Sequence, residues 1–404
     1  VVINRNCINS SIRYDGKSKE ELCNDIDGWK KLLVETYGAR KGDLVAISIM
    51  NVNSRHVSAL FACAELGLRI ILLDSPAKLE SLPYTKLARF GPAKFCITDG
   101  TGEQLYDGLH GKMIQRYSEC TIHALEMTPE PNYYNPGWYV LESDPFLVSS
   151  TSGTTDYSKK IEFTHEDCMV FAIRNINIFK FVPASVCWHT KNMHHASSML
   201  TDLLPSMMIS NTHYSYGLPD RKEWLPLTKE EAINFVETKK IDRCIVPNRD
   251  ILNWLIRGHV FTKRLTINMS GFTMDNSYAD LCGMHNLRFI SHYGSIDTAI
   301  PALVNVVDED YWEEDNCLGH VADTEFWVTV GNGVSLVHHT RWKNPRRLGD
   351  RLEYRNGKYY HLGRIEEKPL DVPQDLDLTP FYQDTKLNMD QLRGYMWEKY
   401  SKKI

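Results

Sequence analysis

The chain has 404 residues, 43% of them hydrophobic and 24% charged, a balance that excludes disordered and fibrous classes and allows two or three packed units. Its 46 basic and 51 acidic residues leave a net charge of −5, so no overall positive field favours nucleic acid. Ten cysteines are scattered, none within four residues of another, which excludes paired-cysteine zinc patterns and points to buried free thiols in a reducing compartment.

The first residues, VVINRNCINSSIRYDG, are too polar for a secretory signal, and no run of about 18 apolar residues is present to span a bilayer. The expectation is a cytoplasmic protein with no membrane span. In residues 18–37, Leu22, Ile26, Trp29, Leu32 and Leu33 recur at helical spacing before the turn GARKGD. LVAISI (44–49) reads as a strand, 56–68 as a helix ending near Gly67, and RIILLDSP as a second strand closed by Pro76. This alternation predicts a parallel sheet covered by helices.

The pattern continues with a helix over 78–91, a strand KFCITDG and a strand FLVSS (146–150) that runs into a hydroxyl-rich loop; a helix then begins at HEDCM. A second α/β stretch carries helices near 228–239 and 249–257 and strands at 243–247 and 287–294. From about 317 to 362 short alternating segments with GNG and NGK turns predict antiparallel strands, as in a small barrel. MDQLRGYMWEKYSKKI closes the chain as a helix with Leu392, Met396 and Tyr400 on one face, for packing or for docking a partner.

The loop is VSSTSGTTDYSKKIEFTHED (148–167). Gly153 lets the backbone approach a ligand, Thr151, Ser152, Thr154 and Thr155 offer O–H donors, and Lys159 and Lys160 add positive charge. Alone, such a cluster also reads as a polar surface turn.

Several segments, in order, resemble the adenylate-forming superfamily of acyl- and aryl-CoA synthetases, luciferases and nonribosomal-peptide adenylation domains. They are KGDLVAISIMN, LFACAELGLRIILLD, KFCITD, TSGTTDYSKKIEFTHED, MSGFTM (269–274), SHYGSID (291–297), LGD (348–350) and GRIEEK (363–368). The resemblance implies an α/β fold: a large adenylation domain at 1–362, with α/β subdomains to about 316 and a small antiparallel β-barrel over 317–362. Residues 363–404 would hold the hinge and a remnant of the family's small C-terminal domain.

It implies ATP-dependent activation of a carboxylic acid, with AMP formed and magnesium as cofactor. Thr151, Ser152, Gly153, Thr154, Thr155 and Lys159 would hold the β- and γ-phosphates, with Lys159, Thr155 and Asp297 as catalytic residues. Tyr293 would lie on the adenine face, Gly271, Ser291 and Gly294 would line the base pocket, and Asp297 would ligate Mg²⁺. Asp350 would accept the ribose hydroxyls, and Arg364 would add a donor. His195, Ser198 and Met274 would line the acid pocket. His195 stands where amino-acid-activating members carry an aspartate, which favours an aryl, short acyl or hydroxy acid. A carrier protein, CoA or a separate enzyme would accept the acyl group.

The chain departs from the family pattern at Asp156 and Ser158, where glycine and proline are usual, and at Ile296 and Asp297, where threonine and glutamate are. No glycine-lysine pair follows the hinge. These departures motivate the alternative of a degenerate protein that binds a nucleotide or acyl-adenylate without turnover. His189, His194, His195 and His213 have no ligand spacing that makes a metal site their leading reading. Trp188, Trp224, Trp254 and Trp327 read as core or pocket walls.

Overall fold

The computed structural model describes residues 2–48, 53–72, 93–99, 112–117, 120–124, 139–150, 160–190, 196–210, 212–215, 228–245, 249–270, 274–294, 301–311, 316–322, 326–331, 334–339, 346–364, 382–383 and 386–387. The chain divides into two units, Val1–Gly363 and Arg364–Ile404.

The first unit opens with a short hairpin, β1 (Arg13–Tyr14) and β2 (Lys17–Ser18), followed by α1 (Lys19–Lys31). Ser18 caps α1: its hydroxyl accepts from the Glu21 N–H, while the Glu21 carboxylate accepts from the Ser18 N–H. This reciprocal cap satisfies two donors that the first helical turn leaves unpaired. The helix buries Leu22, Ile26 and Trp29, then widens into a π-helical stretch at Leu32–Thr36 that carries Leu33 inward. The apolar spacing thus keeps one buried face while the backbone register changes at Leu32.

β3 (Leu44–Ser48), α2 (Ser54–Glu65) and β4 (Arg69–Leu72) follow. α2 packs on α1. Ala59, Ala62, Cys63 and Ala64 of α2 are fully buried, and their small side chains fit a helix covered on nearly every side. The first sheet is completed by β5 (Ala93–Asp99), β6 (Lys112–Tyr117), β7 (Cys120–Ala124), β8 (Pro145–Ser150) and β9 (Lys160–Thr164), in the order β6-β7-β5-β3-β4-β8-β9. β5, β3, β4 and β8 are parallel, whereas β6, β7 and β9 run antiparallel at the two edges. The expected parallel sheet is therefore mixed. The text KIEFT (160–164), read as part of the loop, is an edge strand, and the expected helix over 78–91 and the closing helix lie outside the described residues.

α3 (His165–Ile178) starts from a second reciprocal cap, Thr164 with Asp167. It leads to β10 (Val186–His189), a π-helical turn at Ser198–Leu203, α4 (Leu204–Ile209) and β11 (Thr212–Tyr214). Then come α5 (Lys229–Thr238), β12 (Arg243–Ile245), α6 (Arg249–Ile256), β13 (Leu265–Ser270), α7 (Ser277–His285) and β14 (Leu287–Tyr293). Antiparallel strands end the unit: β15 (Leu303–Val307), β16 (Cys317–Val321), β17 (Phe326–Gly331), β18 (Val334–His339), β19 (Arg346–Arg347), β20 (Asp350–Arg355) and β21 (Lys358–Arg364).

The second sheet has the order β2-β1-β11-β10-β12-β13-β14-β15-β16-β21-β20. From β1 to β14 its neighbours are parallel, and beyond β14 they are antiparallel. β17, β18 and β19 form a separate three-stranded antiparallel sheet. Trp188, Phe235, Leu255, Ile267 and Phe289 form a buried cluster between this second sheet and its helices, each fully buried apolar side chain contributing about 1.5–3 kcal/mol by burial. The second unit contributes, among its described residues, one antiparallel pair, Tyr382–Gln383 with Lys386–Leu387. Among the described residues no helix is long and apolar enough to cross a membrane.

Buried ionisable groups in the first unit set its response to acid. His165 is packed on Phe146 and accepts the Ile3 N–H at Nδ1, and burial pushes its pKa down to about 4. His213 is likewise pushed down to about 4 by burial. Their folded-state pKa values lie below the unfolded one, so this stability is complete above about pH 6.5 and drains away as pH falls toward 4. Burial raises Asp15 to about 6 despite hydrogen bonds from Ser215 and Ser54, and this effect has the opposite sign, favouring the fold as pH falls below 6. His189 is pushed down by burial in the same direction, so the histidines outweigh the aspartate. The unfolding free energy should drop by at least about 2 kcal/mol between pH 7 and pH 5. Urea midpoints at the two pH values check this, and a midpoint equal or higher at pH 5 contradicts it.

Candidate active site

In open α/β sheets ligands bind beyond the carboxyl ends of parallel strands, where the strand pattern changes. Here the change falls at β14, with parallel β13 on one side and antiparallel β15 on the other. Tyr293 is the last residue of β14, and Ser291, two residues earlier, faces the same side of the sheet. Ser291 is buried, and the intervening His292 points the other way, edge-on to Phe179 at 5.1 Å. The chain leaves β14 at the exposed Gly294 and returns at Ala302, whose N–H donates to the Tyr293 carbonyl at 2.9 Å.

The Tyr293 hydroxyl donates to Oδ2 of Asp350 at 2.6 Å. The two residues are 57 positions apart, so the sheet brings them together. The distance is that of a charge-assisted O–H···O bond to an ionised carboxylate. The bond is made at the tip of the phenol, and the ring is partly buried against the apolar core.

Asp350 opens β20 and is held from both sides along its chain. The Leu348 N–H donates to the Ser335 carbonyl at 2.9 Å, and the Leu352 N–H donates to the Ser335 hydroxyl at 3.0 Å. β20 and β21 are joined by Asn356 and Gly357, both with positive φ, at +50° and +80°. This is the pair a two-residue type I′ hairpin requires. Such a turn sets Tyr354 opposite Tyr359, whose ring centroids are 4.8 Å apart, and the Tyr359 hydroxyl donates to the Val328 carbonyl on β17. It also puts His361 on the face of Asp350. His361 Nε2 lies 3.4 Å from Asp350 Oδ1. His361 was missed in the sequence; the NG turn, counted outward to Asp350, is the signal that locates it.

Of the residues expected to line the acid pocket, Met274 is buried and pairs by an isolated β-bridge with Cys317 of β16, and Ser198 opens the π-helical turn, buried, with no hydrogen-bond partner for its hydroxyl among the described residues. Thr151, Ser152, Gly153, Thr154, Thr155, Lys159, His195, Gly271 and Asp297 lie outside the described residues, as does the side chain of Arg364. β13, which ends at Ser270, pairs with β14, which ends at Tyr293, and β8 ends at Ser150.

His189 and His213 of the second sheet are internal. His189 Nε2 lies 3.1 Å from His213 Nδ1 and 3.3 Å from the Ser206 hydroxyl, and Tyr14 stacks on His213 at 5.6 Å. Burial holds both imidazoles neutral at physiological pH. Among the described residues no group of three or more His, Cys, Asp or Glu side chains is placed to hold a metal ion.

The architecture is that of the N-terminal domain of adenylate-forming enzymes. No protein-family model matches the sequence, and no curated protein matches it. The chain is similar to the inhibitor-bound N-terminal domain of FACL13 from Mycobacterium tuberculosis, with a TM-score of 0.65 at 15% identity over 86% of this chain and 92% of that one. It is also similar to o-succinylbenzoate coenzyme A synthetase (MenE) from Bacillus subtilis in complex with ATP and magnesium, with a TM-score of 0.66 at 15% identity over 89% and 78%. McyG A-PCP complexed with phenylalanyl-adenylate gives a TM-score of 0.65 at 15% identity over 88% and 72%. At these identities the likeness is one of fold.

Proposed function

We propose that the chain activates a carboxylic acid with ATP, forming an acyl-adenylate and pyrophosphate. The observation that carries this reading is the Tyr293–Asp350 pair, held at the carboxyl edge where the sheet switches from parallel to antiparallel, in an adenylate-forming fold. The ring of Tyr293 offers a face for adenine, and the carboxylate of Asp350 offers two acceptor oxygens for a ribose diol. By the resemblance, Ser291, Gly271 and Gly294 would line the base site, and Arg364 would add a donor.

In the reaction a carboxylate oxygen of the acid attacks the α-phosphorus, the bond to the bridging oxygen of the β-phosphate breaks, and pyrophosphate leaves with that electron pair. Negative charge grows on the departing group. Thr151, Ser152, Thr154, Thr155 and Lys159 would meet it with O–H and N–H donors, while Gly153 lets the backbone close on the phosphates. The Asp297 carboxylate is a hard oxygen donor of the kind magnesium takes, and the bound ion would neutralise phosphate charge. His195, Ser198 and Met274 would face the acid; an imidazole supplies no fixed negative charge for an ammonium, which favours an aryl, short acyl or hydroxy acid over an α-amino acid. The adenylation machinery would occupy residues 1–362 and the hinge would begin at 363, with a carrier protein, CoA or a separate enzyme as acyl acceptor.

Carboxylate-dependent exchange of labelled pyrophosphate into ATP tests the proposal. Exchange with one or more members of an aryl, acyl and hydroxy-acid panel is expected. A folded chain that shows none across the panel overturns it. The second reading, nucleotide binding without turnover, draws on Asp156 and Ile296: the first adds a negative charge to the phosphate loop, and the second removes a hydroxyl beside Asp297. Saturable AMP binding without exchange would select that reading.

A further inference from the structure

We propose that His361 is a positioning residue that fixes the ribose-accepting carboxylate of Asp350. The inference rests on the nucleotide reading above. A lone aspartate on a strand end can rotate its carboxylate, and a diol is recognised well only when both oxygens are presented in one plane. In this chain side chains from two strands face the two oxygens separately. The Tyr293 hydroxyl, from β14, donates to Oδ2 at 2.6 Å. His361 Nε2, from β21, faces Oδ1 at 3.4 Å, a distance that a small ring movement closes to a hydrogen bond when Nε2 carries the proton.

The backbone of His361 is itself anchored. Its N–H donates to the Asn316 carbonyl at 3.0 Å, next to the start of β16, and the neighbouring Tyr360 is buried opposite Cys317. The guanidinium of Arg355 lies 4.0 Å over the Tyr360 ring, which adds a contact on the face of the strand opposite His361. The imidazole and the Asp350 side chain are partly exposed, at 29% and 18%, as groups that must admit a ligand would be. Removing the imidazole would take away the group that faces Oδ1 from β21, and the diol would then meet a less firmly oriented carboxylate.

The experiment is a calorimetric titration of the full chain with AMP and with 2′,3′-dideoxy-AMP, for the unsubstituted protein and for His361→Phe and His361→Gln. Phe keeps a planar ring and removes the donor, whereas Gln keeps an N–H donor. His361→Phe is expected to weaken AMP binding about tenfold and to leave the dideoxy analogue within about twofold, since the hydroxyls that read the carboxylate are gone. His361→Gln is expected to retain most of the AMP affinity. Equal weakening of both nucleotides by His361→Phe would show a general structural role and overturn the inference, as would no weakening of AMP. An unsubstituted chain that binds neither nucleotide would overturn the nucleotide reading and this inference with it.

Discussion

Asp350→Ala should weaken AMP binding by roughly a hundredfold or more, because two hydrogen bonds to a charged acceptor are lost and each contributes about 1.5–3 kcal/mol. The substitution removes the group that the Tyr293 hydroxyl addresses at 2.6 Å, so the phenol also loses its anchor. Pyrophosphate exchange should fall at least as far, since ribose contacts persist into the transition state. Asp350→Asn separates charge from shape: one acceptor oxygen becomes an amide donor, and the expected loss is smaller, about tenfold to a hundredfold. Urea midpoints accompany both variants. An Asp350→Ala protein that is folded and binds AMP as the parent does would remove Asp350 from the site.

Gly319→Ala is expected to be the most damaging single-atom change in the antiparallel part of the fold. Gly319 has φ of +83°, and a Cβ there would stand 2.0 Å from the Val304 carbonyl oxygen, a backbone atom that cannot swing aside. The left-handed backbone costs a non-glycine residue about 1–2 kcal/mol, and forcing the strands apart adds about 1–3 kcal/mol. The consequence reaches the site. β16 pairs with β15 on one side and β21 on the other, with an irregular register between Cys317 and Gly319, so it links the strand after Tyr293 to the strand of His361. Gly357→Ala is the control: its φ is +80° but nothing lies within 4 Å of an added Cβ, so only the backbone term of about 1–2 kcal/mol applies. Equal urea midpoints for the two variants would contradict the steric argument.

The elements that the sequence made legible are those whose side chains repeat with a period. Leu22, Ile26 and Trp29 mark α1, the apolar run after Asp43 marks β3, and the NG turn marks the β20–β21 hairpin, because each is decided by neighbours within a few residues. The edges were not legible. β1 is only two residues long and pairs with β11 some 200 positions later, and nothing local encodes such a partner. β9 was read as loop because KIEFT follows a hydroxyl-rich stretch, whereas its pairing with β8 makes it a strand. In the site, Tyr293 and Asp350 were picked out by resemblance, and their contact depends on a sheet that periodicity does not predict. His361 was passed over because the hairpin was read as scaffold; only the turn geometry places its ring beside the carboxylate.

The central claim is that Tyr293 and Asp350 form the seat of an adenylate. A crystal structure of the chain with AMP tests it most directly. The expected density has the adenine against the Tyr293 ring and both ribose hydroxyls within hydrogen-bond distance of the Asp350 carboxylate, about 2.5–3.0 Å. AMP bound elsewhere on the chain, or a ribose turned away from Asp350, would contradict it.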